Sequence, residues 1–562
     1  MDSCLYENTS QERMEREYMS KKEVLYVNDQ NGGAYNGQIQ IDTSVLSSMD
    51  LWNAYSEAYL EIPFNITYTS SADVSGAGVI NGFMLGMKNG YFHILDSISV
   101  HYNGQSVVQQ QPFSNFHVAY KLMTTWSQDD LAKHGHVCGF YPDSAGSASW
   151  SAGASRSGDG VSNNVIALPS TTGTHVWALG SNADGILHPQ NDGLRQRLEL
   201  TAFPATSNDS GYGAIPTVNS SALCAQLGKN HVVDNAGAGS ARVWKWNILA
   251  TIRLKDICDF FDKVPMTKGG YLNMIINYNS CTASITSAGA PSPTLVHVSN
   301  PTMTSGRTCP IIMASANENN PCDTILNGTN SIACGIGSNV QNHFGSDLLN
   351  QVRLYVPSYK LKPRYEEELI AERTRRFKYC DILSYQVLNV SSGSSINQVL
   401  TNGVKNPKAL VVVPQMNNTA GNNATIALFP QQSLFDSAPA TTAPLSAIDN
   451  FNVQVSGIQV FQQNQLYDFE QFKNEIESIN AIDGGCTVGM SNGLLGYKEW
   501  DNNYRYYVAD LSREGTYQMG LNQSVVLQGL NQTGKAMDYY CFVEYEKEAE
   551  VDLISGKLRV VA

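Results

Sequence analysis

The sequence of 562 residues predicts a mainly β protein made of two tandem antiparallel β-sandwiches. Many short segments alternate between apolar and polar residues, as half-buried strands do, while segments with helical spacing are few and short. One stretch near residue 100 recurs near residue 450, which indicates two copies of a domain rather than a solenoid of small repeats. A chain of this length is also too long for one hydrophobic core.

The repeat aligns residues 96–116 with residues 449–469 without a gap, at a constant offset of 353 positions. Seven of the 21 positions are identical, where average composition gives roughly one or two by chance. The identical positions are Asp96, Val100, Gly104, Val107, Gln109, Gln110 and Phe116, which fall on Asp449, Val453, Gly457, Val460, Gln462, Gln463 and Phe469. In both copies the apolar spacing changes from two residues to helical spacing, which predicts a strand, a glycine turn, a strand and a short helix.

The first domain is predicted over residues 37–362. Residues 1–36 are charged and then glycine-rich, which predicts an arm that is ordered only by a neighbouring subunit or the interior of an assembly. The Ser-, Gly- and Asn-rich residues 135–193 predict a long surface loop. Alternation in RVWKWNILATIRL places Trp246 on the core face of a strand. The predicted strands of this domain are 58–68, 92–102, 242–254, 271–278 and 352–359.

The second domain is predicted over residues 363–562, after a junction with the densest charge in the chain. In KLKPRYEEELIAERTRRFK the spacing of Glu and Arg predicts an exposed linker helix. The predicted strands that follow are 379–390, 408–414, the repeated strands after residue 449, 505–513, 523–530 and 539–553.

The composition excludes several classes of protein. The formal net charge of −14 makes the chain unsuited to wrapping nucleic acid, so no sequence-specific nucleic-acid binding is expected. The 11 Cys are irregularly spaced without a CxxC, which predicts reduced thiols and no disulfide. The first 22 residues lack the apolar core of a secretory signal, and no run of about 18 apolar residues predicts a membrane span.

Residues 489–493 read GMSNG and match the G-x-S-x-G pattern of a nucleophile elbow around Ser491. In that arrangement a catalytic His follows the nucleophile in the chain. All ten His lie at or before His343, so the segment is interpreted as a glycine-rich turn between strands.

His134, His136 and Cys138 form the one local cluster of metal-ligand types. The cluster ends a predicted helix, where Lys133 and His134 also suit the negative end of the helix dipole, and no further ligand pair follows. A structural interpretation is therefore preferred to a metal site.

The remaining charged runs are interpreted as solvated faces, and the basic run as part of the linker. These runs are Asp129 and Asp130, Glu366, Glu367 and Glu368, and the basic Arg373, Arg375, Arg376 and Lys378. We expect no catalytic, cofactor-binding or metal-binding residues, no cofactor, no small-molecule substrate and no enzyme activity.

Four stretches carry a resemblance to a known family. They are WKWNILATIRLKDICDFFDKVPMTKGG, VRLYVPSYKLKPRYEEEL, FKYCDILSYQVLNVSSGSSINQVLTNGVKNPKALVVVP and INAIDGGCTVGMSNGLLGYKEWDNNYRYYVADLSR. They resemble the major capsid proteins of polintons, polinton-like viruses and virophage-type viruses. The resemblance covers residues 58–562 and is most specific over 351–513, whereas the arm and the loop near 140–190 depart from the family pattern.

The resemblance implies a double jelly roll, in which each jelly roll has eight antiparallel strands in two packed sheets, with short helices in the connections. It implies a major capsid protein that forms a homotrimer, a capsomer of pseudo-hexameric outline that tiles an icosahedral shell around a double-stranded DNA genome. The implied partners are neighbouring capsomers, penton proteins and minor capsid proteins. The implied location is the virion, assembled in the host cytoplasm or nucleus.

Two alternatives share the predicted fold. A giant-virus capsid protein is also a double jelly roll. A carbohydrate-binding or carbohydrate-active β-sandwich is of a different class, and fold alone does not separate it from a capsid protein. Such an enzyme needs a pair of carboxylates in a cleft with aromatic platforms beside it.

Overall fold

The computed structural model describes most of the chain between residues 18 and 561. The described ranges are 18–70, 83–110, 112–142, 242–288, 351–416, 446–482, 493–502, 504–512, 521–533 and 536–561, with shorter segments at 148–151, 165–167, 174–177, 179–181, 187–189, 198–200, 231–234, 295–303, 310–315 and 330–336. No helix within these ranges is long and apolar enough to cross a bilayer.

Most of the regular structure consists of strands. Those before residue 362 are β1 (Met19–Asn28), β2 (Gln38–Asp42), β3 (Trp52–Asn53), β4 (Tyr59–Ser70), β5 (Phe83–Met87), β6 (Leu95–Tyr102), β7 (Gln105–Gln109), β8 (Ala148–Ser151), β9 (Val165–Ala167), β10 (Thr174–Trp177), β11 (Leu179–Ser181), β12 (Leu187–Pro189), β13 (Leu198–Leu200), β14 (His231–Asp234), β15 (Arg242–Arg253), β16 (Leu272–Tyr278), β17 (Cys281–Ala288), β18 (Leu295–Met303), β19 (Ile311–Ser315), β20 (Asn330–Ile336) and β21 (Arg353–Leu361). Those after it are β22 (Thr374–Val390), β23 (Ser395–Val404), β24 (Pro407–Met416), β25 (Ile448–Val455), β26 (Ile458–Gln459), β27 (Tyr507–Asp510), β28 (Gln523–Asn531), β29 (Met537–Asp552) and β30 (Leu558–Val561).

The helices are short and lie in the connections. They are α1 (Ser44–Ser47), α2 (Ser114–Thr125), α3 (Gln128–Cys138), α4 (Leu254–Ile257), α5 (Asp259–Lys263), α6 (Pro363–Ala371), α7 (Phe469–Ile482) and α8 (Tyr497–Asn502), with 3₁₀ turns at Tyr55–Glu57 and Tyr91–Ile94.

Each half of the chain is a sandwich of two antiparallel sheets with one shared strand order. In the first half, β1, β21, β4 and β15 are neighbours in one sheet, and β2, β16, β6 and β7 form the other. In the second half the sheets are β22-β29-β24-β27 and β23-β28-β25-β26. The two sheets just named contain eight strands in each half, which can be numbered 1 to 8 in chain order. In both halves, one sheet then has the strand order 1-8-3-6 and the other has 2-7-4-5. That is the strand order of a jelly roll, and it confirms the predicted fold class.

The repeated segment forms the same unit in both jelly rolls, as predicted. In the first it comprises β6, β7 and α2, and in the second β25, β26 and α7. Both strand pairs are joined by a two-residue turn with positive φ at both positions. These pairs are Asn103 (46°) with Gly104 (80°), and Ser456 (51°) with Gly457 (87°). Positive φ at both central residues is the geometry of a type I′ hairpin, which explains why the glycine recurs.

The prediction of an arm over residues 1–36 is wrong for its described part. Strand β1 pairs antiparallel with β21, from Lys21 opposite Lys360 to Asn28 opposite Arg353. Leu25 and Val27 are half-buried and pack against the core. Residues 18–36 therefore belong to the first jelly roll, whereas residues 1–17 lie outside the described residues. The sequence pattern did not predict this strand, because an edge strand buries only part of one of its faces.

The alternation predicted in β15 is present where side chains are described. Ile248, Ala250 and Ile252 are buried, whereas Leu249 is 37% exposed. The side chain of Trp246 lies outside the described residues, but its backbone pairs with Ile66 of β4.

The predicted linker helix is α6, which has no buried residue, and it lies between the last strand of one jelly roll and the first strand of the next. Of the basic residues after it, Arg375, Arg376 and Lys378 belong to β22, and Arg373 directly precedes that strand. The predicted loop over 135–193 contains the end of α3 and strands β8 to β12, and its remaining part lies mostly outside the described residues.

Candidate assembly surfaces

The residues that could have formed a metal site lie apart on α3. His134 and His136 are exposed, whereas Cys138 is buried. Burial raises the pKa of the Cys138 thiol to about 11, which disfavours the thiolate that binds metals. The Nδ1 atom of His136 lies 2.5 Å from the hydroxyl of Tyr141. Within the described ranges, no three His, Cys, Asp or Glu residues are placed to hold a metal ion.

The GMSNG segment falls outside the described residues except at its end. Ser491 is not described, whereas Gly493 has a φ of 60° and lies against the backbone of Met123. A Cβ at this position would come 2.6 Å from the carbonyl oxygen of Met123. Leu494 N also donates to Met123 O at 2.8 Å, so the chain here packs closely against the first jelly roll. Glycine permits this close packing because it has no Cβ.

The charged runs take part in local and cross-strand pairs. Asp130 completes a capping box with Ser127 at the start of α3. Glu366 accepts hydrogen bonds from Trp52 Nε1 (3.2 Å) and Lys268 Nζ (2.8 Å), which tie α6 to the first jelly roll. Other members form ion pairs across or beside β22, namely Arg373 with Asp552, Arg375 with Glu372, Arg376 with Glu550, and Lys378 with Glu546.

Helix α2 of the first jelly roll packs on the outer face of β29 in the second. The rings of Phe113 and Phe116 lie 5.0 Å and 5.1 Å from the ring of Tyr540. His117 Nε2 lies 2.7 Å from Glu544 Oε1. Tyr120 meets Tyr506 edge-on at 5.3 Å. One side of a short helix therefore provides the contact between the jelly rolls.

Asp96, the first residue of the repeat, positions this helix. Its Oδ1 accepts the backbone N–H of Phe113 at 3.2 Å, and its carbonyl accepts the hydroxyl of Ser114 at 2.8 Å. Phe113 has a φ of 70°, a conformation that a non-glycine residue adopts only when its surroundings determine it. The turn before α2 is thus held by Asp96 and aims the helix at β29.

A polar cluster joins β7 to the β22–β29 pair. Asp381 is fully buried and accepts from Lys547 Nζ at 2.6 Å and from Tyr545 OH at 3.2 Å. Lys547 also reaches the carbonyl of Val107 at 3.4 Å, and Tyr379 OH donates to the same carbonyl at 2.8 Å. Burial alone would lower the pKa of Lys547, but Asp381 outweighs it and the pKa is raised, so the amine stays charged.

The two jelly rolls also meet through backbone near Gly556. Lys268 N donates to Leu553 O at 2.9 Å, and Asn103 Nδ2 donates to Ser555 O at 3.2 Å. Gly556 has a φ of 66°, and a Cβ there would lie 2.4 Å from the Cα of Gly270. The helix contact, the polar cluster and this backbone contact together fix the orientation of one jelly roll on the other.

Glu546 links three strands of the second jelly roll by accepting Lys378 of β22 at 2.7 Å and Lys408 of β24 at 3.1 Å. Burial alone would raise the pKa of Glu546, but the two lysines outweigh it and hold the pKa below its usual range. A carboxylate whose folded pKa is lowered stabilises the fold above its unfolded pKa, and this contribution disappears as the pH falls through the folded value.

We expect Glu546→Gln to lower the stability of the protein at neutral pH by about 1 kcal/mol, because the charge-assisted bonds are lost. The difference from wild type should shrink once the pH falls below about 4.3, the unfolded value for Glu. Thermal unfolding of both proteins between pH 7 and pH 3 tests this. A difference that is constant over the range would contradict the assignment.

Two surfaces with the chemistry of protein interfaces are exposed. On the outer face of the first jelly roll, Tyr26 of β1, Tyr355 of β21 and Tyr59 of β4 form a row that we call the tyrosine row. Successive ring centroids in it are 5.9 Å and 4.9 Å apart. Arg353 lies 5.1 Å from the centroid of the Tyr26 ring, and Tyr355 OH donates to Glu61 at 2.9 Å.

The second surface lies at the start of α7, on the second jelly roll. Leu466 is 79% exposed there, and Tyr497 is 61% exposed. The ring of the half-buried Phe469 lies 5.7 Å from the ring of Tyr497. We call Leu466, Phe469, Glu470, Lys473 and Tyr497 the α7 face.

The sequence did not reveal the contacts between the jelly rolls. Asp381 and Gln109 are 272 positions apart, and Lys547 and Val107 are 440 apart. A lysine and an aspartate in amphipathic strands have the same local pattern whether they are solvated or paired. The signal that was present is the repeat itself, since Asp96 and Phe116 are among its identical positions.

No protein-family model and no curated protein matches this sequence. Among solved structures, the chain is similar to one from the 3.5 Å cryo-electron microscopy structure of the Sputnik virophage, with a TM-score of 0.49 and 11% identity over 97% of this chain and 89% of that one. It is similar to the mavirus major capsid protein, with a TM-score of 0.46 and 10% identity over 96% of this chain and 90% of that one. It is also similar to a chain of the PBCV-1 virus capsid, with a TM-score of 0.40 and 8% identity over 97% of this chain and 98% of that one. Two of these three structures are named as a major capsid protein or a virus capsid.

Proposed function

We propose that this chain is a viral major capsid protein with a structural rather than an enzymatic role. The observation that carries the proposal is the pair of jelly rolls with one strand order, held together through a buried interface. The resemblance of residues 58–562 to the major capsid proteins of polintons, polinton-like viruses and virophage-type viruses supports it.

The proposed assembly is a homotrimer whose six jelly rolls give a capsomer of pseudo-hexameric outline. Closed rotational symmetry gives every subunit the same contacts, and two similar domains per chain let three chains fill a hexagonal footprint. The polar cluster around Asp381 supports this because its hydrogen bonds to Val107 and Gln109 tie the second jelly roll to β7 of the first. A rigid building block is what a repeating shell requires.

In this proposal the capsomers tile an icosahedral shell around a double-stranded DNA genome, with penton and minor capsid proteins as further partners. The chain would be located in the virion after assembly in the host cell. Its net charge of −14 supports a role in which neighbouring protein subunits, rather than DNA, are the main partners. No cofactor or small-molecule substrate enters the proposed role.

Light scattering and electron microscopy of the purified chain test the proposal. We expect a species of three times the chain mass of 61.3 kDa, with a six-fold outline in negative stain. Concentrated protein, or protein co-expressed with its capsid partners, should form shells.

A stable monomer that binds glycans would instead support the carbohydrate-binding alternative. The tyrosine row is the surface that could serve such a function, because aromatic rings bind sugars. A glycan array with the wild-type chain and with Tyr26→Ala separates the two functions. Binding that depends on Tyr26, in a chain that never trimerises, would overturn the capsid proposal.

A further inference from the structure

Because the two jelly rolls have the same strand order, the helix of either one could pack on the last strand of the other. Of these two equivalent contacts, a single chain makes one. Within the chain, α2 of the first jelly roll covers the outer face of β29, the last strand of the second. The counterparts are α7 of the second jelly roll and the outer face of β21, the last strand of the first. Exposed side chains lie beside both counterparts, namely Leu466 just before α7 and Tyr26 on β1 next to β21.

The 353-residue offset of the repeat shows which positions of α7 correspond to the contacting side of α2. Phe113, Phe116, His117 and Tyr120 fall on Leu466, Phe469, Glu470 and Lys473. On α2, the first of these is half-buried and the other three are buried. Leu466, three residues before α7, is 79% exposed. On α7, Phe469 is half-buried, and Glu470 and Lys473 are exposed. The side of the helix that makes the contact within the chain is thus open in the second copy of the repeat.

The surfaces that would receive the helices correspond as well. The outer face of β29 presents Tyr540, Phe542 and Glu544 to α2. The outer face of β21 presents Tyr355 between Tyr26 and Tyr59, with Tyr26 56% exposed. Both faces combine aromatic rings with charged groups, and Tyr and Arg are enriched among the residues that dominate binding energy in protein interfaces.

We propose that the α7 face of one copy docks on the tyrosine row of a second copy, and so repeats between chains the contact that α2 makes with β29 within a chain. This inference rests on the proposed capsid function and names the surfaces that join the subunits. The contact is head-to-tail, and a head-to-tail contact closes into a ring when its rotation divides a full turn. Leu466 and Phe469 supply the apolar part of the contact.

The charges of the two surfaces are complementary in sign. Glu470 corresponds to His117, which contacts the carboxylate of Glu544 within the chain. Arg353, beside the tyrosine row, carries the charge opposite to that of Glu470. Lys473 has Glu61 as its counterpart on the row. Lys473 Nζ also lies 3.5 Å from Glu477 Oε1 of its own helix.

The first experiment measures the mass of Leu466→Asp and Tyr26→Asp by light scattering. Both positions are more than half exposed, so we expect both variants to fold with the circular dichroism of wild type and to be monomers of 61.3 kDa. Leu521→Asp is the matched control because Leu521 is 61% exposed and lies on neither surface, and it should remain a trimer.

A mixture of the two variants provides a sharper test. The Leu466→Asp chain retains an intact tyrosine row, and the Tyr26→Asp chain retains an intact α7 face. One contact can form between them, so the mixture should give a heterodimer of twice the chain mass and no trimer. An interface that joins identical patches would give no such complementation.

Charge exchange supplies a second, milder set of variants. Glu470→Arg and Arg353→Glu should each weaken trimer formation at least tenfold, and the two together in one chain should restore it. If the wild type forms a trimer and all these variants do so as well, the proposed docking surfaces are wrong, whereas the proposed capsid function is not contradicted. A wild-type chain that stays monomeric at every concentration and forms no shells would overturn both.

Discussion

Deletion of residues 1–28 is expected to unfold the first jelly roll, whereas deletion of residues 1–17 leaves strand β1 in place and serves as the matched control. The longer deletion removes the strand that pairs with β21 from Lys21 to Asn28. It also removes Leu25 and Val27 from the edge of the core. Two half-buried aliphatic side chains and a row of backbone hydrogen bonds correspond to about 3–5 kcal/mol, which is a large part of the stability of a typical domain.

The exposed edge of β21 adds a second effect, because an unpaired strand edge pairs readily with other chains. We therefore expect the longer deletion to lower the melting temperature and to aggregate, and the shorter one to behave as wild type in both measurements. Hydrogen exchange of the β21 amides should show the loss of protection directly. Equal melting temperatures for the two deletions would show that β1 is dispensable.

Replacement of Lys547 by Met is expected to destabilise the second jelly roll, in which Lys547 of β29 pairs with Asp381 of β22, by about 3–5 kcal/mol, the typical cost of leaving a buried charge without its partner. Asp381 is fully buried and Lys547 Nζ lies 2.6 Å from it. After the substitution, the Asp381 carboxylate keeps only neutral hydrogen-bond donors. They are Tyr545 OH at 3.2 Å and the backbone N–H groups of Ile382 and Gln109.

The matched control is the double variant Asp381→Asn with Lys547→Met, which removes both charges and keeps the shape of both side chains. Replacing both members of a buried pair is often close to neutral, so the double variant should recover most of the lost stability. Urea unfolding monitored separately for each jelly roll measures the effect. If the single and double variants unfold at the same urea concentration, the ion pair does not stabilise the second jelly roll.

Local patterns in the sequence are sufficient to predict the fold class and the duplication. Strict alternation marks β6, β16 and β25 as half-buried strands, because successive side chains of a strand point to opposite faces. The recurrence of that pattern at one offset, with a glycine at each turn, predicted a shared unit, and both copies adopt it. These features are local, so a single segment contains the information that they require.

The identity of neighbouring strands and of paired charges depends on the tertiary structure. Strand β1 reads as an arm because its residues are charged and mostly exposed, and its partner β21 lies more than 300 positions further along the chain. Asp381 reads as an ordinary polar position of β22, yet it is fully buried against β7 of the other jelly roll. Periodicity shows which face of a strand is covered but carries no information about what covers it. That choice depends on packing between segments that are distant in the chain.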